Sequence, residues 1–364
     1  MPPLIAASGG CGDAITAAAL SASLDMTKPP VVMTYSWDRL MIDPVPGPRR
    51  PAEFTGLIQL APGLVEVVAS SAAIPPAGSA LPRLAAELPA RLLLLDPSRG
   101  AIGLSEQIAA AATVLHLTEL VVVDVGGDAL TVGARDPGLR SPLADQLVLA
   151  ACARTGLATR LLITGAGLDG ELPAPVVRDR LGHLHATPLR PLGAADAARI
   201  AHVFGWHPSE ASGLLAAAAA GIRGVVEVRD AGDQVPLDDT TTTMAAVDAA
   251  RAIKHTPAAH LTGTRTLTEA EHIIHELTGI SEIAYEHRKA AALSRRDARR
   301  PTPADLDLID RAAAAAHERG AAYVSIRRLA ELVHATTLPT YAALSDLLAH
   351  RRPDRYRHSL YRTG

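Results

Sequence analysis

The sequence predicts an α/β fold: a Rossmann-like parallel sheet with helices on both faces, plus a helical C-terminal extension. Three observations predict it. Short, wholly apolar runs alternate with alanine-rich segments of helical length, as expected where strands are buried on both faces. Several of those runs end in Gly- and Asp-rich loops, the place where open α/β sheets hold their ligands. The apolar material, 48% of 364 residues, contains only two Phe and two Trp, so the core must come from small side chains packed closely between helix and sheet.

In chain order, Leu4-Ile5-Ala6-Ala7 is the first strand, and it breaks into a glycine loop before a helix pattern from Ala14 to Leu24. Val31 to Tyr35 is the second strand. The stretch Asp43-Pro44-Val45-Pro46-Gly47-Pro48 then cannot be helical. Leu64 to Ala69 and Leu92 to Leu95 read as strands, with a helix from Ala80 to Leu88 between them. A helix from Leu104 to Leu115 leads to Leu120–Val125, the clearest parallel-strand run. A helix from Ser141 to Thr155 and a strand at Leu161–Thr164 close a sheet core spanning residues 1–187. Residues 188–288 complete the α/β domain with helices at Ala194–Phe204, Ser209–Ala220, Val247–Ile253 and Thr268–Thr278. They also hold a hairpin that joins Val225–Val228 to Val235–Leu237 through Asp230-Ala231-Gly232-Asp233. Residues 289–364 form the extension, in which Thr302 and Pro303 give a good helix start.

Composition excludes several classes. With charged residues at 20%, global disorder is ruled out, and no apolar run has the roughly 20 residues needed to cross a bilayer. Met1-Pro2-Pro3-Leu4 lacks the basic start and apolar stretch of a signal peptide. Two cysteines, Cys11 and Cys152, give neither a disulfide framework nor zinc-ligand spacing. The expectation is a cytoplasmic protein with no membrane association. The net charge of −3 hides an asymmetry: from His287 onward there are 15 Lys/Arg against 8 Asp/Glu. Such a tail docks on something negative, and the acidic body is the nearest candidate. Helix, turn and helix near Ser325–Ala349 superficially resemble a DNA reader, but the second helix has no Arg, Lys, Asn or Gln for base edges, so nucleic acid is not an expected partner. A homo-oligomer is compatible with the tail.

Four loops carry the candidate chemistry. In Ser8-Gly9-Gly10-Cys11-Gly12-Asp13, the glycines let the backbone approach a ligand and the helix start offers free N–H groups. The spacing is neither a dinucleotide fingerprint nor a P-loop, and Asp13 suits a cation, a hydroxyl or an amine. Asp124-Val125-Gly126-Gly127-Asp128 ends the strongest strand, and Asp124 and Asp128 are candidate ligands for a divalent ion such as Mg or Mn. In Arg140-Ser141-Pro142-Leu143-Ala144-Asp145, Ser141 reads as an N-cap, while Asp145 is an acid one turn into an apolar helix. Thr164-Gly165-Ala166-Gly167-Leu168-Asp169-Gly170-Glu171 again joins glycines to two acids. Each loop also has a plain structural reading as a turn or a cap. Together they make Asp13, Asp124, Asp128, Asp145, Asp169 and Glu171 the candidate catalytic acids. Gly9, Gly10, Cys11, Gly12, Arg39, Gly126, Gly127, Ser141, Gly165 and Gly167 are the candidate ligand-binding residues. Arg39 could meet a substrate anion or one of the acids, and Cys11 at a helix start is a weak candidate nucleophile.

These loops in this order resemble the domain-of-unknown-function family 1152 of archaea and actinobacteria. The resemblance rests on Gly9–Ala14, Trp37-Asp38-Arg39 with Asp43–Pro48, Asp124–Asp128, Gly138–Asp145 and Gly165–Leu172, and it extends to about Glu286. That family usually has glycine where this chain has Cys11. The resemblance implies a shared site and no particular reaction. The expected function is an enzyme acting on a small anionic or polar metabolite by metal-assisted hydrolysis, elimination or group transfer. The alternative is a nucleotide- or metabolite-binding regulatory protein with a basic partner-binding tail.

Overall fold

The computed structural model describes residues 4–20, 24, 29–229, 232–293, 298–357 and 359–364. Asp230 and Ala231 of the hairpin turn, residues 21–23 at the end of the first expected helix and Met1–Pro3 lie outside them. Nine strands form one sheet in the order Thr187–Leu189, Met244–Asp248, Ala158–Thr164, Glu119–Val125, Leu4–Ala7, Val31–Tyr35, Arg91–Leu95, Leu64–Val67 and Ile58–Ala61. The five central strands are mutually parallel. The two outer strands on each side run antiparallel to their inner neighbours. This is a Rossmann-like sheet, mostly parallel and covered on both faces.

Alternation along the first strand explains the layering. Ile5 and Ala7 point into one core with the helices Cys11–Ala19 and Glu210–Ala219. Leu4 and Ala6 point into the other, with Gly100–Leu115 and Pro142–Cys152. Small residues let the helices sit close: in Cys11–Ala19, Ala14, Ala17, Ala18 and Ala19 are all fully buried. The chain lays down Leu4–Ala7, moves outward through Val31–Tyr35 and Arg91–Leu95, then returns to place Glu119–Val125 on the other side of the first strand. The switch point therefore falls between Leu4–Ala7 and Glu119–Val125. Their C-terminal loops diverge there and leave a crevice, as open α/β sheets do.

Three expectations need correction. Val247–Ile253 is not one helix: Met244–Asp248 is a strand paired with Ala158–Thr164, and the helix is only Ala249–Ile253. Asp248 caps that short helix through the Arg251 N–H, so an apolar run changes type in mid-course. The segment Ala194–Phe204 is broken into an α-turn and a 3-10 turn. Finally, the C-terminal extension is not purely helical. The hairpin Gly224–Val228/Asp233–Leu237 forms a second sheet with Tyr323–Ser325, Leu360–Arg362 and Tyr356–Arg357. Ion pairs fasten the extension: Arg319 and Arg328 both reach Glu227 of the sheet, and Arg327 reaches Glu210 on the helix Glu210–Ala219. The basic tail is thus docked on the acidic body. No helix among the described residues is long and apolar enough to cross a membrane.

Candidate functional site

The loops at the switch point enclose a hollow of about 830 Å³, counting space open to solvent. Its walls include Asp13, Asp128, Asp145, Asp169 and Glu171, together with Gly9, Cys11, Gly12, Arg39 and Ser141. Asp124 lies just behind them. One carboxylate oxygen each from Asp13, Asp124 and Asp145 falls within 4.8 Å of the other two. Acids 132 residues apart in the chain meet here because neighbouring parallel strands bring their C-terminal ends to one edge.

Local structure fixes each acid differently. Gly10 precedes the helix at φ +102, a conformation that favours glycine. Asp13, partly open to the hollow, reaches back one turn to accept the Gly9 N–H at 2.8 Å, so its helix-start role and its place in the hollow coexist. Asp124 accepts the N–H groups of Gly127 (3.2 Å) and Ala129 (3.1 Å), pinning the loop that carries Asp128. Asp145 is 2% exposed and its Oδ1 has no hydrogen-bond partner. Asp169 accepts the Glu171 N–H through one oxygen, while Oδ2 is buried and unpartnered. Gly126, at φ +135, exists to admit that side chain: a Cβ there would stand 2.0 Å from Asp169 Oδ2.

Glu171 and Ser141 depart from their simple readings. Ser141 does occupy the N-cap position of Pro142–Cys152, with Pro142 behind it, but its side chain makes no capping hydrogen bond. The Ser141 hydroxyl is turned to Glu171 instead, whose carboxylate accepts it (2.6 Å) and the N–H groups of Arg140 (2.7 Å) and Ser141 (3.0 Å) at the helix entry. A full negative charge satisfies the positive end of a helix better than a hydroxyl does. Gly10, Gly126, Gly127, Gly165 and Gly167 shape the turns and are not in the walls of the hollow. A Cβ on Gly165 or Gly167 would instead press on Leu168 or Ala174. Cys11 is in the wall but ill suited to nucleophilic attack. Burial and the neighbouring Asp38 raise its thiol well above the usual value, leaving it protonated.

Electrostatics define the hollow. Burial first, then neighbouring carboxylates, raise Asp13, Asp124 and Asp128 well above the ordinary range. Asp145 and Asp169 are pushed up to about 7 by the same causes, and Asp38 to about 6, chiefly by burial. Taking charge out of water next to like charge is what such shifts express.

Four wall residues escaped the sequence reading as candidates: Asp38, His207, Glu282 and Glu286. Glu282 accepts the Leu143 N–H at 3.1 Å, and Glu286 accepts from Trp37 Nε1 and the Gly47 N–H. Burial raises both carboxyls. Their i, i+4 spacing places them on one helix face, the only signal that could have suggested them. His207 is 3% exposed, and burial, then Arg39 and Arg83, lower it to about 3. Nothing local in the sequence marks it out.

A second hollow of about 880 Å³ adjoins the first and shares Arg39, Ser141, Glu171, Glu282 and Glu286 with it. Its other walls carry Arg140, Arg229, Lys289 and Arg327. The crevice is thus acidic within and cationic toward the tail. Fold and site together define a Rossmann-like α/β protein with an acid-lined crevice at its topological switch point. The chain belongs to the family described as "Protein of unknown function (DUF1152)", whose model matches residues 4–290. No curated protein and no solved structure matches it.

Proposed function

We propose that the protein is an enzyme that acts on a small anionic or polar metabolite by metal-assisted hydrolysis, elimination or group transfer. One observation carries the reading. Carboxylates from separate strand-end loops converge, and Asp145, almost fully buried, leaves an oxygen without any donor. Burying such an oxygen unsatisfied beside other carboxylates is costly, and a divalent cation with oxygen ligands removes the cost. Asp13, Asp124 and Asp145 fit that donor set, with all-oxygen chemistry suited to Mg²⁺ or Mn²⁺. When bound, such an ion polarises a substrate oxygen or activates a water. The chain's own residues do the rest. Asp169, with a free oxygen and a carboxyl near neutrality, is placed to hold or pass a proton. Asp124 and Glu171 hold the loops in register, and Arg39 draws an anion to the mouth.

The alternative, a regulatory binding protein whose basic tail contacts a partner, has less behind it. Arg319, Arg327 and Arg328 are already committed to Glu210 and Glu227. The test is a screen of small anionic metabolites with Mg²⁺ or Mn²⁺. Turnover that requires the metal and falls at least about 100-fold in Asp145→Asn supports the enzyme. Saturable binding of a metabolite without turnover would replace it with the regulatory reading.

A further inference from the structure

We propose that the junction of the two hollows at Arg39 is a phosphoryl subsite, in which Arg39, His207 from the inner hollow and Arg229 from the outer one receive a dianionic phosphate-type group of the substrate. The inference rests on reading the crevice as a substrate site and names the class of substrate. Two buried donors without hydrogen-bond partners and one exposed guanidinium carry it. His207 Nδ1 accepts the Ser209 N–H at 3.2 Å, so the ring hydrogen resides on Nε2. That atom is buried, has no acceptor, and belongs to a side chain in the wall of the inner hollow. Arg39, exposed to this space, makes no side-chain hydrogen bond or ion pair among the described residues and lines both hollows. Arg229 keeps Nη1 buried without a hydrogen bond. Its ion pair with Asp233 is long, at 4.0 Å, and that carboxylate is shared with Arg140 at 3.1 Å.

Charge selects the ligand. Arg39, Arg229 and Arg327 line the outer hollow together. Arg327 is compensated by Glu210 and Glu331 at 3.1 and 3.4 Å, whereas Arg39 has no carboxylate at ion-pair distance among the described residues and Arg229 has only the long contact to Asp233. A monoanion would offset only one of these guanidiniums. A phosphoryl group offers two charges and three oxygens, enough for two guanidinium forks and one imidazole N–H. Arg229 is positioned for this at some backbone cost: it sits at φ +60, its N–H held by Glu210 and its carbonyl by Arg328.

Inorganic pyrophosphate titrated calorimetrically into the full-length protein in EDTA tests the subsite apart from any metal. Saturable binding is expected, weakened at least about tenfold in Arg39→Ala and again in His207→Ala, whereas His207→Gln, which keeps a donor, loses less. Arg300→Ala, an exposed control for net charge, should bind as the parent does. Succinate, a dianion without phosphoryl oxygens, should bind at least about tenfold more weakly than pyrophosphate. A flat isotherm, equal affinity in the parent and Arg39→Ala, or succinate bound as tightly as pyrophosphate overturns the proposal. Asp145→Asn separates the two readings. Pyrophosphate binding kept there while Mn²⁺ binding is absent even in the parent sinks only the metal-assisted enzyme; Mn²⁺ bound by the parent without pyrophosphate sinks only the subsite.

Discussion

Asp145→Asn should make the metal-free protein more stable while it removes a ligand from the site. In the folded chain the Asp145 carboxyl is held at about 7 against an ordinary 3.8, by burial and then by the Glu171 carboxylate. The folded state therefore resists ionisation. The penalty is absent below about pH 4, grows as pH rises, and is complete above about 7, where it amounts to up to about 4 kcal/mol. Asparagine has the shape of the protonated acid and carries no charge, and its amide can donate toward Asp13 or Asp124. Urea unfolding in EDTA should give the variant a gain of up to about 4 kcal/mol at pH 8, shrinking below about 2 at pH 5. A variant less stable than its parent at pH 8, or a gain that does not change with pH, would refute the reasoning.

Other perturbations separate site from scaffold. Gly126→Ala combines a positive φ with a collision against Asp169 and should cost about 2–5 kcal/mol, seen as a lowered Tm by circular dichroism. Glu171→Ala removes three hydrogen bonds at the start of Pro142–Cys152; a loss of about 3 kcal/mol in urea is expected, with Glu171→Gln milder. In the tail, the Arg299 guanidinium holds Asp305 down to about 2. The stability from this pair is full above about pH 4 and is lost as pH falls toward 2. Because Arg299 is 44% exposed, the effect is only about 1 kcal/mol after screening. Unfolding of Arg299→Ala across that range checks it, since the variant's deficit should vanish at the acid end.

The parallel core was legible because its strands are buried on both faces and so appear as unbroken apolar runs, Leu120–Val125 above all. The edges were less so. Met244–Asp248 has no strong period and is defined by its pairing with Ala158–Thr164, a tertiary fact. Likewise the tail strand Tyr323–Ser325 gains its identity only beside Gly224–Val228. At the site, acids following glycines at strand ends could be read, since topology carries such ends to one edge. The roles within that edge could not. Ser141 is at the N-cap as its sequence suggests, but its hydroxyl is drawn to Glu171 by a contact across 30 residues. His207 arrives from the loop before Glu210–Ala219 and Glu282 from the start of a helix remote in sequence, so no local pattern links the two to one hollow.

The account turns on whether distant loops build one cation site at the sheet's switch point, and anomalous diffraction from crystals soaked in Mn²⁺ looks at that directly. The account predicts a peak bounded by Asp13, Asp124 and Asp145, absent from crystals of Asp145→Asn. Crystals of the parent with no peak there, or with manganese only at surface carboxylates, would contradict it.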